Sequence, residues 1–159
     1  MILKPDYNVV SLFDIDFKEL KAQGINAILF DLDSTVMPSK SGEYPIKVAE
    51  LLQGLNQNFV VAIISNNKNK DYIDKVQSIS NFKVIGHANK PSPKIMENFL
   101  KSVNILPEQT VVIGDRPLTD ILAGKLLGAK TILVDSITKD RENKLTRFVR
   151  KLERLTIKK

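Results

Sequence analysis

A doubly wound α/β fold of Rossmann-like, three-layer design, built on a mainly parallel five-stranded sheet, is predicted by two observations and given a site by a third. Five short apolar runs rich in β-branched residues recur along the 159 residues, as expected of strands buried on both faces. Segments with helical spacing alternate with them, and strand–helix alternation builds a parallel sheet. The third observation is that polar clusters close the runs. Asp31-Leu32-Asp33-Ser34-Thr35 follows the first, Ser65-Asn66-Asn67 the second, Lys90-Pro91 the third, and Gly114-Asp115-Arg116-Pro117-Leu118-Thr119-Asp120 the fourth. Ligands of such sheets bind beyond the carboxyl ends of the strands, so all four clusters converge on one site.

Taken in order, Asp16 to Gly24 predicts a short glycine-ended helix, packed on the sheet through Ile15 and Leu20 and feeding the first strand, Ala27–Phe30. Pro45–Leu55 opens on a proline suited to a first helical turn and carries Ile46, Ala49 and Leu52 at helical spacing. Phe59–Ile64 is the second strand, and Lys70–Ile79 a helix with Ile73, Val76 and Ile79 on one face. Lys83–Ile85 is the third strand. Ser92–Val103 reads as an N-capped helix with Ile95, Phe99, Leu100 and Val103 inward. Thr110–Ile113, a helix over Thr119–Leu127 with Gly128 as its C-cap, and Thr131–Val134 complete the set. Only 29 residues separate Thr35 from Ser65 and 22 separate Asn67 from Lys90. One helix and one strand use up each interval, which leaves no room for an inserted cap domain.

The length fits a single domain, 1–159, with a real core. No apolar run approaches the ~20 residues of a membrane span, and Met1 to Asp6 lacks the charged and apolar regions of a secretory leader. The absence of cysteine excludes disulfides and cysteine–zinc sites and fits a reducing compartment, so a cytoplasmic location is expected. The formal charge of +6 is concentrated: residues 139–159 hold nine Lys or Arg against three acids, and the rest of the chain balances. In that tail Leu145, Phe148, Val149, Leu152 and Leu155 form one apolar stripe, with basic residues around it. A basic amphipathic helix of this kind lies on anionic lipid, each nearby Lys or Arg contributing roughly 1 kcal/mol, or packs its stripe on the sheet with its charges solvated. Both readings stand.

The order DxDxT, apolar-SNN, KP and GDxxxxD resembles the haloacid dehalogenase (HAD) phosphatase superfamily. Phe13-Asp14-Ile15-Asp16, Phe30 to Thr35 and Gly114 to Gly124 resemble, within it, the YqeG-type subfamily IIIA branch, over residues from about 5 to 138. The resemblance implies a Mg²⁺-dependent phosphomonoesterase. Asp31 is then the nucleophile that forms an aspartyl-phosphate, and Asp33 the general acid and later general base. Mg²⁺ would be held by the Asp31 carboxylate, the Asp33 carbonyl and the Asp115 carboxylate, with Asp120 acting through water or orienting a ligand. Ser65 and the amides around Asn66 would bind the phosphoryl group, Lys90 would neutralise it, and Thr35 would brace the turn. Two residues depart from the branch's pattern: Ser34 stands where asparagine is common, and Arg116-Pro117 replaces a Gln-hydrophobic pair. Arg116 faces a phosphate or serves as a surface ion-pair residue. His87, the only histidine, lies beside the Lys90 segment, where it touches substrate or, with no partner histidine or cysteine, has a structural or incidental role, the latter being favoured.

An uncapped site suits a phosphate displayed by a macromolecule or membrane. The branch includes phosphatidylglycerophosphate phosphatases, so that anionic phospholipid is the expected substrate, with peripheral contact through 139–159 at the inner face of a membrane. Two alternatives are a phosphatase of nucleic-acid ends and a non-catalytic binding protein of the same fold. The first ranks lower because the chain has three Tyr, seven Phe and no Trp to stack bases.

Overall fold

The structure, a computed structural model, describes residues 3–138; the expected basic helix of the tail lies outside them. Six strands, β1 (Tyr7–Asn8), β2 (Ala27–Phe30), β3 (Val60–Ile64), β4 (Lys83–Ile85), β5 (Thr110–Gly114) and β6 (Lys130–Leu133), form one sheet in the order β1-β6-β5-β2-β3-β4. Every pairing is parallel. The five-strand expectation is therefore corrected to six. The extra strand is a two-residue edge pairing with exposed side chains, too short and too polar to register as a buried run.

Helices cover both faces. They are α1 (Phe17–Ala22), α2 (Ile46–Leu55), α3 (Lys70–Ser78), α4 (Lys94–Ser102) and α5 (Leu122–Leu127). Alternate strand residues sort to opposite faces. Ile28, Phe30, Val61, Ile63, Val111 and Ile113 join Leu20, Leu52 and Val76 in one core, while Leu29, Ala62, Ile64 and Val112 join Met96, Leu100 and Leu127 in the other. Each such fully buried large aliphatic side chain contributes roughly 1.5–3 kcal/mol.

Two helix faces differ from the expected ones. In α2 the buried positions are Val48, Leu52 and Leu55; Ile46 is 79% exposed and Ala49 is exposed, because the helix lies rotated so that Val48 rather than Ile46 faces the core. Ile79 caps the end of α3 and is half-exposed rather than inward. The segment before α5 begins with one wide turn, Pro117–Ile121, in which Ile121 N–H reaches back five residues to the Arg116 carbonyl. Gly128, with φ +90°, ends α5 in the left-handed conformation that glycine adopts without strain.

The strand order places β2 between β3 and β5. The chain turns one way from β2 to β3 and β4 and the other way for β5 and β6, so the carboxyl end of β2 is the switch point where a crevice opens.

Candidate active site

Asp31 leaves β2 at that switch point, its N–H still donating to the Ile113 carbonyl at 2.9 Å as a continuation of the ladder. Ser65 leaves β3 in the same way, donating to the Ile85 carbonyl at 2.8 Å. Asp115 follows β5 and is fully buried. Lys90 lies five residues beyond β4, on a segment in which His87 and Asn89 have positive φ and the Lys90–Pro91 peptide is cis.

One buried ammonium ties the elements together. Lys90 Nζ donates to Asp31 Oδ1 at 2.8 Å and to Asp120 Oδ1 at 2.7 Å. The side chains of Lys90 and Asp120 are each 2% exposed and that of Asp31 is 15% exposed. Burial would push the Lys90 ammonium down, but Asp120 and Asp31 more than offset it and hold the pKa above the ordinary lysine value. Burial, reinforced by the charge of Asp31, pushes the Asp120 carboxyl up to about 6 against the opposing pull of Lys90. The Thr35 hydroxyl lies 2.8 Å from Asp115 Oδ1 and 3.3 Å from Asp31 Oδ2, and donates to one of them at a time. Thr35 therefore braces the two carboxylates against each other as well as the turn.

The carboxylates of Asp31, Asp115 and Asp120 each bring an oxygen within 4.8 Å of the others. Hard oxygens gathered this closely are the donor chemistry that Mg²⁺ takes, so these residues fit the ion. Asp120 stands behind the other two, since Oδ1 receives Lys90 and Oδ2 receives the Arg116 N–H at 3.1 Å. Its approach depends on Gly114, where a Cβ would overlap the Asp120 carboxyl carbon and Oδ2. Gly114→Ala is expected to displace Asp120 and cost about 1–3 kcal/mol, the usual range for overpacking, together with most of the activity; urea unfolding and a phosphatase assay check it.

The remaining predicted residues divide. Ser65 is buried at the mouth of β3, its Oγ accepting the Asn67 N–H at 3.0 Å. The Asn66 side chain is engaged with protein: Oδ1 accepts the Lys90 N–H at 2.7 Å and Nδ2 donates to the Lys90 carbonyl at 3.0 Å. It holds the lysine segment in place. Arg116 enters the site through its backbone, which exchanges hydrogen bonds with Asp120. His87 is exposed, and its N–H donates to the Asn67 carbonyl at 2.9 Å. Ser34 adopts φ +71°, a region that favours Gly and Asn, and its hydroxyl accepts from Thr138 at 2.7 Å.

The carboxylate of Asp33 stands outside the acidic cluster. Its Oδ1 accepts the Tyr72 hydroxyl at 2.7 Å and the Lys40 N–H at 2.8 Å. Tyr72 escapes a sequence reading because a tyrosine in a helix reads as packing. The available signal is Asn69, whose side chain caps α3 at the Tyr72 N–H and so puts Tyr72 in the first turn after the Ser65 loop. That is the end of the helix nearest the site.

Known proteins resemble this chain in sequence and fold. Residues 87–152 match the HAD-hydrolase-like family, Hydrolase_like. Over 150 residues the chain is 29% identical to the probable phosphatase YqeG of Bacillus subtilis, covering 94% of this chain and 87% of that protein. It is 28% identical over 141 residues to the mitochondrial phosphatidylglycerophosphatase GEP4 of Saccharomyces cerevisiae, covering 80% of this chain and 76% of that one. It is 26% identical over 168 residues to the chloroplastic/mitochondrial phosphatidylglycerophosphate phosphatase 1 of Arabidopsis thaliana, covering 98% of this chain but only 47% of that one. Among solved structures, a HAD phosphatase from Thermococcus onnurineus superposes with a TM-score of 0.59 at 13% identity, covering 70% of this chain and 86% of that one. A HAD family enzyme from Bacteroides thetaiotaomicron, in complex with magnesium and inorganic phosphate, does so with a TM-score of 0.57 at 16% identity, covering 79% of this chain and 100% of that one.

Proposed function

We propose that this chain, which belongs to the HAD-like phosphatases in their YqeG-type branch, is a Mg²⁺-dependent single-domain phosphomonoesterase that removes the terminal phosphate of phosphatidylglycerophosphate. The observation that carries the chemistry is the buried Lys90 ammonium shared between Asp31 and Asp120 at the switch point of the sheet. A phosphate monoester resists attack largely because its charged oxygens repel a nucleophile. Here a carboxylate nucleophile is held beside a fixed cation, which is stabilisation aimed at the phosphoryl charge.

The Asp31 carboxylate attacks phosphorus, and the bond to the ester oxygen breaks as that oxygen takes the proton of Asp33. Water then gives a proton back to Asp33 and attacks the aspartyl-phosphate at phosphorus, releasing inorganic phosphate and restoring Asp31. The amides of the Ser65-Asn66 loop and Lys90 hold the phosphoryl oxygens through both steps. The Asp31 and Asp115 carboxylates and the Asp33 carbonyl would hold Mg²⁺, which when bound supplies Lewis-acid charge to those same oxygens.

The lipid substrate is supported by the relatives named as phosphatidylglycerophosphatases and by the openness of the site. Between Thr35 and Ser65 the only helix and strand are α2 and β3, and between Asn67 and Lys90 they are α3 and β4. Among the described residues no helix is long and apolar enough to cross a membrane. Contact with the bilayer is assigned to the basic residues 139–159. Thr138, the last described residue, is hydrogen-bonded to Ser34 and Ser39, which follow Asp33 in the chain.

The test is phosphate release from phosphatidylglycerophosphate in mixed micelles with Mg²⁺, beside an EDTA control. Release that EDTA abolishes is the expected result. Release only from a soluble aryl phosphate would keep the chemistry and remove the lipid. Deleting residues 139–159 is expected to lower the rate on lipid vesicles at least about tenfold, as loss of several ~1 kcal/mol basic contacts allows, and to change the rate on a soluble ester much less. Equal loss on both would make the tail structural.

A further inference from the structure

We infer that Tyr72 is a positioning residue for Asp33, fixing which of its two oxygens carries the transferred proton in both half-reactions. The inference rests on the acid–base reading of Asp33 given above and adds to it a residue from a different element.

The geometry is specific. The Tyr72 hydroxyl at 2.7 Å and the Lys40 N–H at 2.8 Å both donate to the same oxygen, Oδ1. A carboxyl group has one carbonyl-like oxygen and one that bears the proton. Two donors on Oδ1 favour it as the carbonyl-like partner, so the proton resides on Oδ2. An accepting oxygen keeps its role whether the group is a carboxylic acid or a carboxylate. Asp33 can therefore lose its proton to the leaving oxygen and regain one from water without exchanging either contact.

Tyr72 suits this task because it remains a donor. A phenol ordinarily loses its proton only near pH ~10, so at neutral pH it does not compete for the proton. The ring is partly buried, and its oxygen also lies 3.5 Å from Met37 Sδ. The Tyr72 N–H is itself capped by Asn69 at 3.2 Å, and the Asn69 N–H donates to Asn67 Oδ1 at 2.8 Å. Asn67 in turn donates its N–H to Ser65 Oγ at 3.0 Å. The residue that orients the acid is thus built on the loop expected to bind the phosphoryl group, so the two are held in register. The Lys40 N–H comes from the same connection as Asp33, seven residues on, whereas Tyr72 comes from α3.

Leaving-group dependence tests the inference. An alkyl phosphate needs a proton on its departing oxygen, whereas 4-nitrophenolate leaves without one. In Tyr72→Phe, kcat/KM for glycerol 3-phosphate is expected to fall at least about tenfold, a fraction of the 10²–10⁴ that a general acid supplies. For 4-nitrophenyl phosphate it is expected to fall less than about threefold, with inhibition by inorganic phosphate unchanged. The ratio of the two esters in one sample is independent of the fraction of protein folded. In an Asp33→Asn background the added Tyr72→Phe is expected to leave that ratio unchanged. Equal loss on both esters, or an undiminished effect of Tyr72→Phe in the Asp33→Asn background, would make Tyr72 structural and overturn the inference. Wild-type alkyl-ester activity in Asp33→Asn alone would instead remove the reading of Asp33 and the inference with it.

Discussion

Asp31→Asn is expected to abolish phosphate release, with kcat down by about four orders of magnitude or more, the scale seen when a nucleophile is removed. The change replaces one carboxylate oxygen by an amide nitrogen and alters almost nothing in shape. The Asp31 N–H keeps its bond to the Ile113 carbonyl, since that bond belongs to the backbone. Lys90 keeps Asp120 at 2.7 Å, so no buried ammonium is stranded. Two electrostatic effects oppose each other: Lys90 loses one partner, and Asp120 loses the neighbouring charge that helps push its pKa up. Stability is therefore expected to stay within about 1 kcal/mol of the parent, inside the range of an ordinary substitution. Phosphate release and urea unfolding on the same preparation check both halves. An inactive but fully stable protein supports the nucleophile reading, and residual turnover near the parent rate would refute it.

The legibility of this molecule in its sequence follows burial. β2, β3 and β5 are buried on both faces, which makes them continuous apolar runs, and their sequence bounds fall within one residue of the structural ones. β1 is two exposed residues whose place depends on pairing with β6, Tyr7 opposite Ile132 and Asn8 opposite Leu133. Nothing local marks it. Helix existence was legible and helix rotation less so: the spacing of Ile46, Ala49 and Leu52 fits a helical face as well as Val48, Leu52 and Leu55 does, and only packing on the sheet selects the second. At the site, the carboxylates announce themselves because their cost at buried strand ends demands a reason. Asn66, Gly114 and Tyr72 do not. Asn66 acts on the backbone of a residue 24 positions away, and Gly114 acts by having no side chain where Asp120 must sit. Tyr72 acts on a residue 39 positions away. Each is a property of tertiary approach, which spacing along the chain does not encode.

Lys90→Met tests whether the lysine is a structural as well as an electrostatic element of the site. Methionine keeps the apolar stem but removes the ammonium, leaving Asp31 and Asp120 without the cation that they share. Breaking a buried pair by removing one partner costs about 3–5 kcal/mol, and loss of a cation aimed at the phosphoryl group is expected to lower kcat about 10²–10³-fold. The pH dependence identifies the cause. In the parent protein burial, with the charge of Asp31, pushes the Asp120 carboxyl up to about 6, above the ~3.9 of an unfolded aspartate. A carboxyl raised in this way contributes stability that is full below its unfolded value and is lost as the pH climbs through the folded one. Lys90, held above the ordinary lysine value, contributes throughout the neutral range and loses its effect only in alkali. Without Lys90 the burden on Asp120 grows, so the deficit in Lys90→Met is expected to be largest near pH 8. It should shrink toward pH 5, where Asp120 takes up a proton and the buried charge disappears. Urea unfolding of both proteins at the two pH values measures this directly. A deficit that shrinks with acid assigns it to stranded carboxylates. A deficit of the same size at both values would show that stranded carboxylates are not its cause, and Lys90 would then act on the phosphoryl group alone.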